Sequence, residues 1–318
     1  MDDQGELLQL LNDVAVWEVE GVERAFAEQS LARLRALSGD LSVTPRFVTA
    51  RDGIELAYRR YPGGPARAIV LVHGAAGHGG HLHTLASRIA DQGAGTVYVP
   101  DMRGHGLSGR RRGHAVAYPD QMVEDIGVIL EAVARDHPAA PIVLGGHSAG
   151  GGLALRCCSD ALCDRVSALL LLAPFLGHTA PTTRPRIGGW VAVYRKRMNA
   201  LIALNARGIT GFNDLPVVEF NQPPCTLDGR ETLSWSYNTL LAFGPGDSAG
   251  ELASAGAGRP MLVIVGTEDE CFRAEAYPKV MAGAVPTADV HLLPDLGHWD
   301  LLTDPSATDI AVEWLHRL

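Results

Sequence analysis

No stretch of this 318-residue chain approaches the roughly 18 to 20 consecutive apolar residues that span a bilayer, the longest lying near Ala168-Leu-Leu-Leu-Leu-Ala173. A transmembrane segment is not expected. Basic charge is also short: 27 Lys and Arg stand against 36 Asp and Glu, leaving a net charge of −9 and a pI near 5.7. Nucleic acid is thereby excluded as the main partner, because phosphate binding needs a basic surface. The one concentrated basic run, Arg110-Arg111-Arg112, reads as a solvated loop or as a contact for an anionic head group. Five cysteines are an odd number for a disulfide framework, and Cys157, Cys158 and Cys163 cluster without C-x-x-C spacing. The chain opens Met1-Asp2-Asp3, acidic where a secretory signal is basic, with no long apolar region after it. Reduced thiols and a cytoplasmic location are expected.

Apolar residues make up 47% of the chain, enough for a substantial core, and the length suits one large α/β domain with an insertion or two small domains. Residues 1–45 read as an N-terminal helical extension: Val22, Phe26, Leu31, Leu34 and Leu37 recur near spacings of three and four, and Gly39 offers a C-cap. This leader could pack on the core, lie on a membrane surface, or join two copies as a homodimer. From Arg46 the period changes. Segments 46–50 and 54–58, separated by Arg51-Asp52-Gly53, predict a hairpin. Apolar strands at 68–72, 95–99, 141–145 and 166–172 then alternate with helices, notably one around 118–135, which indicates a parallel sheet covered on both faces. The rhythm breaks between about Phe175 and Gly258, where a basic helical piece runs from Trp190 to Leu204, and resumes with strands at 261–265 and 289–293 and a terminal helix. An insertion over the carboxyl edge of such a sheet is where a cap sits. The expected division is a core of residues 46–175 and 256–318 with a cap of residues 176–255.

Between strand 141–145 and the helix that can open at Gly151 lies Gly146-His147-Ser148-Ala149-Gly150. A serine on a sharp strand-to-helix turn has its hydroxyl exposed above the sheet, and glycines are needed where a Cβ would collide. The same five residues also fit a bland glycine-rich helix start. As a nucleophile, Ser148 needs a histidine base and a carboxylate to orient it, since a hydroxyl attacks poorly at neutral pH. His298 follows the last strand in Asp295-Leu-Gly-His298-Trp299, and Asp269 follows the strand before it in Gly266-Thr-Glu-Asp269. Glu268, Glu270 and Asp295 stand close by, so position alone does not single out the acid. An oxyanion hole requires backbone N–H groups, for which Ala149 and Ala75, in the loop His73-Gly74-Ala75-Ala76-Gly77, are the candidates. His73, His78, His81 and His83 suggest a metal site by composition, but the spacing matches no zinc motif. Neither a metal nor any other cofactor is expected, because a Ser-His-Asp set works without one.

Val72-His73-Gly74, the run Asp101 to Ser108, Gly146 to Gly150, Gly266 to Asp269 and Gly297-His298 together resemble the α/β-hydrolase superfamily. The likeness is to its monoacylglycerol lipase and lysophospholipase branch, often labelled serine aminopeptidase S33-like. It spans about residues 46–318 and implies an α/β-hydrolase fold: an eight-stranded, mostly parallel sheet flanked by helices, with strand 2 antiparallel and an inserted cap. Asp269 occupies that family's acid position and Ser148, Asp269 and His298 its chain order. Two departures stand out. The leader lies outside the family's minimal domain, and Ala149 stands where many relatives carry methionine or a larger residue.

The activity this implies is hydrolysis of a carboxylic ester with a hydrophobic acyl group through an acyl-enzyme. Phe175 and Trp299 are the candidate pocket residues, with Trp190, Phe212, Trp235 and Phe243 either lining the cap or forming its core. Carbon–carbon bond, lactone or amide hydrolysis runs on the same three residues. Epoxide hydrolase and haloalkane dehalogenase chemistry would need a carboxylate at position 148. A non-catalytic ligand-binding protein on the same fold is the alternative of another class.

Overall fold

The Asp52-Gly53 turn joins β1 (Arg46–Thr49) to β2 (Glu55–Tyr61) in antiparallel register, Arg46 opposite Tyr58, with Gly53 at φ 87° where a side chain would be strained. This hairpin starts the fold in a computed structural model that describes residues 3–11, 43–109, 111–159, 162–222, 224–245 and 248–318. β3 (Ala68–Val72), β4 (Thr96–Pro100), β5 (Ile142–His147) and β6 (Ala168–Leu172) follow, each buried along its whole length. Their unbroken apolar runs are what a parallel strand covered on both faces requires.

After β6 the chain leaves the sheet and builds a small antiparallel one from β7 (Val191–Val193), β8 (Pro216–Phe220) and β9 (Ser234–Ser236), with a helix at Arg195–Asn205 between β7 and β8. It returns through helices Tyr237–Phe243 and Ser248–Gly256 to β10 (Met261–Gly266) and β11 (Asp289–Leu293). The large sheet has eight strands in the order β1-β2-β4-β3-β5-β6-β10-β11, with only the pairings of β2 antiparallel. Helices His83–Asp91 and Pro305–Arg317 pack together, and Gln121–Asp136, Ala149–Ser159 and Ser248–Gly256 form a second group. The fold is that of the α/β-hydrolases.

The inserted segment departs from its sequence pattern. The helix expected from Trp190 begins only at Arg195, because residues 191–193 pair with β8, and Trp235 lies in a strand rather than in irregular chain. Strands of three to five residues are too short to declare a period of two. Helix Asp3–Leu10 packs against Arg195–Asn205, and the Arg197 Nε donates to the Leu11 carbonyl at 2.7 Å. The leader positions Val22 to Leu37 and the Gly39 cap lie outside the described residues. No described helix is long and apolar enough to cross a membrane.

Candidate active site

β5 ends in the candidate nucleophile. Ser148 has φ 55°, a left-handed conformation disfavoured for a residue with a Cβ. Two glycines make the turn sterically possible: a Cβ on Gly146 would lie 2.5 Å from the Gly150 carbonyl carbon, and one on Gly150 would lie 2.3 Å from the Val72 oxygen. Close packing of the following helix on β3 and β5 therefore depends on both. The Ser148 carbonyl accepts from the N–H groups of Gly151, Gly152 and Phe175, which pins the turn. Helix Ala149–Ser159 then starts directly after the serine, which places the positive end of its dipole beside Ser148.

His298 meets Asp269 as the chain order requires. The imidazole Nδ1 donates to Asp269 Oδ2 at 2.7 Å, both side chains being buried. The other carboxylate oxygen accepts from the N–H groups of Cys271 and Phe272 at 2.8 and 2.7 Å, so Asp269 is held on both sides. Its neighbour does different work. Glu270 Oε2 accepts from the His298 backbone N–H at 2.7 Å, and Asp300 Oδ2 from that of Gly297 at 2.7 Å. Only Asp269, among the carboxylates left open by the sequence, is bonded to the imidazole ring.

Ser148 and His298 line one cavity of about 20 Å³ together with His73, Gly74, Ala75, His81, Leu82, His147, Trp190, Trp299 and Leu302. That is room for about one water. Trp190, from the inserted segment, stands edge-on to Trp299 at 5.0 Å between centroids, and Trp299 edge-on to His298 at 4.9 Å. Trp299 is thus at the wall. Phe175 is not among the lining residues; its ring stacks on Phe272 at 6.2 Å. Gly74 approaches so closely that a Cβ there would sit 3.1 Å from the Ser148 Cβ. Ala75 follows it, and neither its N–H nor that of Ala149 is bonded among the described residues. Two free donors thus flank the serine, the arrangement an oxyanion needs.

Histidines crowd this region, and burial keeps them uncharged. It lowers His73 to about 4 and pushes His81, His105 and His147 well below the usual imidazole value. His73 donates from Nδ1 to the Gly74 carbonyl and accepts at Nε2 from the Met102 N–H, while His105 Nε2 accepts from the Trp235 indole at 2.8 Å. Burial also raises the Cys271 thiol well above its ordinary value, so that buried sulfur is no rival nucleophile. His78, His81 and Glu231 offer ligand atoms within 4.8 Å of one another. Yet His78 Nδ1 accepts from the Gly80 N–H, which leaves the ring proton on Nε2, 3.3 Å from Asp228 Oδ2. Both oxygens of Glu231 take backbone N–H groups, of Asp228 and Gly229. Glu231 is thereby committed to the backbone of its own turn.

The family model described as serine aminopeptidase, S33, matches residues 63–306. The chain belongs to that family of α/β-hydrolases. It is 28% identical over 257 residues to a monoacylglycerol lipase of Mycolicibacterium smegmatis, covering 79% of this chain and 88% of that protein. It is 34% identical over 140 residues to Lipase LipV of Mycobacterium tuberculosis, covering 44% of this chain and 49% of that one. A soluble variant of monoglyceride lipase from Saccharomyces cerevisiae, solved with a substrate analog, superposes with a TM-score of 0.65 at 16% identity, over 88% of this chain and 98% of that one. At that identity the last likeness speaks for the fold alone.

The sequence assigns no role to His147, offers Glu270 only as an alternative acid, and offers Trp190 only as one of several aromatic residues of the cap. His147 lies inside the elbow motif as its variable position. Nothing in the local pattern singles out Trp190, whose place depends on a contact with Trp299, far away in the chain.

Proposed function

We propose that this member of the family is a serine hydrolase that cleaves carboxylic esters with a hydrophobic acyl group, of the monoacylglycerol lipase or lysophospholipase type. The observation that carries the reading is the 2.7 Å bond between His298 Nδ1 and buried Asp269, in a cavity shared with Ser148 on its strained turn. His298 takes the Ser148 proton at Nε2 as the serine oxygen attacks the ester carbonyl. Asp269 holds the ring in the tautomer with its proton on Nδ1 and stabilises the cation that forms. The tetrahedral oxyanion rests on the N–H groups of Ala75 and Ala149. The protonated imidazole then passes its proton to the leaving alcohol, and water activated by His298 releases the acid from Ser148.

The lipase names of the relatives, together with the aromatic wall of Trp190 and Trp299, support an apolar acyl chain. Residues 176–255 act as the cap over this site, residues 46–175 and 256–318 as the core. Labelling with a fluorophosphonate and turnover of glyceryl and p-nitrophenyl esters of graded chain length test the reading. Labelling of wild type that vanishes in Ser148→Ala is expected. A folded protein that neither labels nor hydrolyses any ester overturns it.

A further inference from the structure

The segment from Asp228 to Ser236 reaches back onto two loops of the core. The Thr232 N–H donates to the Ala76 carbonyl at 2.9 Å and the Thr232 hydroxyl to the Gly104 carbonyl at 3.1 Å, while the Ser236 N–H donates to Gly113. Arg112 bonds the Arg230 carbonyl from the core side. His78, buried in the loop after β3, holds the Gly80 N–H with Nδ1 and turns Nε2 toward Asp228 at 3.3 Å. Asp228 also pairs with Arg230 at 2.8 Å, and Glu231 folds the short turn by accepting two of its backbone N–H groups. Burial opposes ionisation of Asp228, but His78 and Arg230 outweigh it and keep the carboxyl well below its usual range.

What lies under this contact is the loop that carries the Ala75 N–H. The loop is closed by the Gly77 N–H on the Gly74 carbonyl, and between them Ala76 adopts φ 61°. A residue with a Cβ disfavours that conformation and keeps it only where its surroundings impose it. The carbonyl of this strained residue is the one that Thr232 holds.

We propose that Asp228, His78 and Thr232 are positioning residues that lock the oxyanion loop, so that the Ala75 N–H points at the reacting carbonyl only while the 228–236 segment is docked. The inference rests on the reading of Ser148 and Ala75 given above. Without the lock, Ala76 relaxes toward negative φ and the neighbouring peptide that bears the Ala75 N–H turns with it. Catalysis and docking of the 228–236 segment are thereby one event, although no residue of that segment lines the cavity at Ser148.

Asp228→Ala tests this with p-nitrophenyl acetate, a short ester, because no residue of 228–236 lines the cavity at Ser148. The expected result is a loss of about 10- to 100-fold in kcat, the scale of a displaced oxyanion donor or a misplacement of about 1 Å, with KM changed less than about twofold. Asp228→Asn, which keeps the side-chain oxygen that accepts from the Arg230 backbone N–H, recovers part of the loss. A glycine adopts positive φ without strain, so Ala76→Gly placed in the Asp228→Ala background restores most of the rate, which a role in stability alone would not produce. Wild-type kcat in Asp228→Ala, or no recovery on adding Ala76→Gly, overturns the proposal. Amide hydrogen exchange over residues 75–80 gives a readout independent of turnover. It quickens when Asp228→Ala is added to Ser148→Ala, and unchanged exchange there sinks the lock. Absence of ester turnover by wild type would sink the proposed function instead.

Discussion

The Nε2 of His147 donates to the carbonyl oxygen of His298 at 3.0 Å, so the residue just before the candidate nucleophile anchors the backbone of the candidate base. The two rings lie 4.4 Å apart between centroids. Burial, helped by the adjacent His298, holds His147 well below the usual imidazole value. A neutral ring with one donor nitrogen is what this bond needs. Replacing His147 by Ala leaves a buried carbonyl without its partner, at a cost of about 1–3 kcal/mol, and frees the His298 loop to drift. Steady-state kinetics should give a kcat lowered about tenfold with KM little altered, within the range expected for a misplaced catalytic group. His147→Gln, whose amide can still donate, should recover part of the loss.

Asp269 and Glu270 are consecutive carboxylates that hold opposite ends of His298, one its ring and the other its backbone N–H. Their replacements should separate cleanly. Asp269→Asn keeps the shape but favours the wrong tautomer, and a loss of about 10⁴ in kcat is the scale for such a change. Glu270→Gln keeps an acceptor for the backbone N–H and should cost no more than about tenfold, in line with a neutral hydrogen bond replacing a charge-assisted one. Equal losses in the two variants would mean that the acid has been misassigned.

These two residues also mark how far the sequence was legible. The elbow, the strand alternation and the order of Ser148, Asp269 and His298 could be read because each strand of the large sheet is a continuous apolar run ending in a loop with its own punctuation. Position alone leaves Glu268 and Glu270 open beside Asp269, since adjacent carboxylates differ only in where the backbone turns them; Asp269 is favoured for its place in the Gly266 to Asp269 loop. What turns Asp269 toward the His298 ring is a loop in which the Cys271 and Phe272 N–H groups capture its other oxygen. The inserted segment was least legible. Val191–Val193 and Ser234–Ser236 are strands only because β8 lies between them, and Trp190 and Trp235 take their roles from Trp299 and His105, contacts that no periodicity encodes.

Trp190 lines the cavity of about 20 Å³ at Ser148, too little for an acyl chain, so on the proposed reading the wall of this cavity opens when substrate enters. The chain just before it is strained, with Arg186 and Ile187 both at φ 50°. Trp190→Ala removes the buried indole and its edge contact with Trp299, and a loss of about 3–5 kcal/mol in unfolding free energy is expected for so large a truncation. Reaction with a bulky fluorophosphonate should nonetheless be several-fold faster than in wild type, measured at a temperature where both are folded. A slower reaction in the folded variant would show that the indole guides the acyl group rather than blocks it.

His73 ties acid sensitivity to the same region. Burial lowers its value to about 4, whereas an unfolded imidazole takes its proton near 6.5. Between those two values the unfolded chain binds more protons than the folded one, so stability falls as the pH falls, and above about 6.5 the group contributes no slope. His81, His105 and His147 are shifted in the same direction by the same cause and add to the trend. Urea unfolding of wild type at pH 7.5 and at pH 4.5 should therefore show a marked loss at the lower value. In His73→Asn, whose amide can still accept from the Met102 N–H, that loss should shrink by about 2 kcal/mol, the share that linkage assigns to a single imidazole with this shift. An unchanged difference between the two pH values would mean that His73 is protonated in the folded protein, and the hydrogen bond it accepts at Nε2 from Met102 would then have to be broken before the fold is lost.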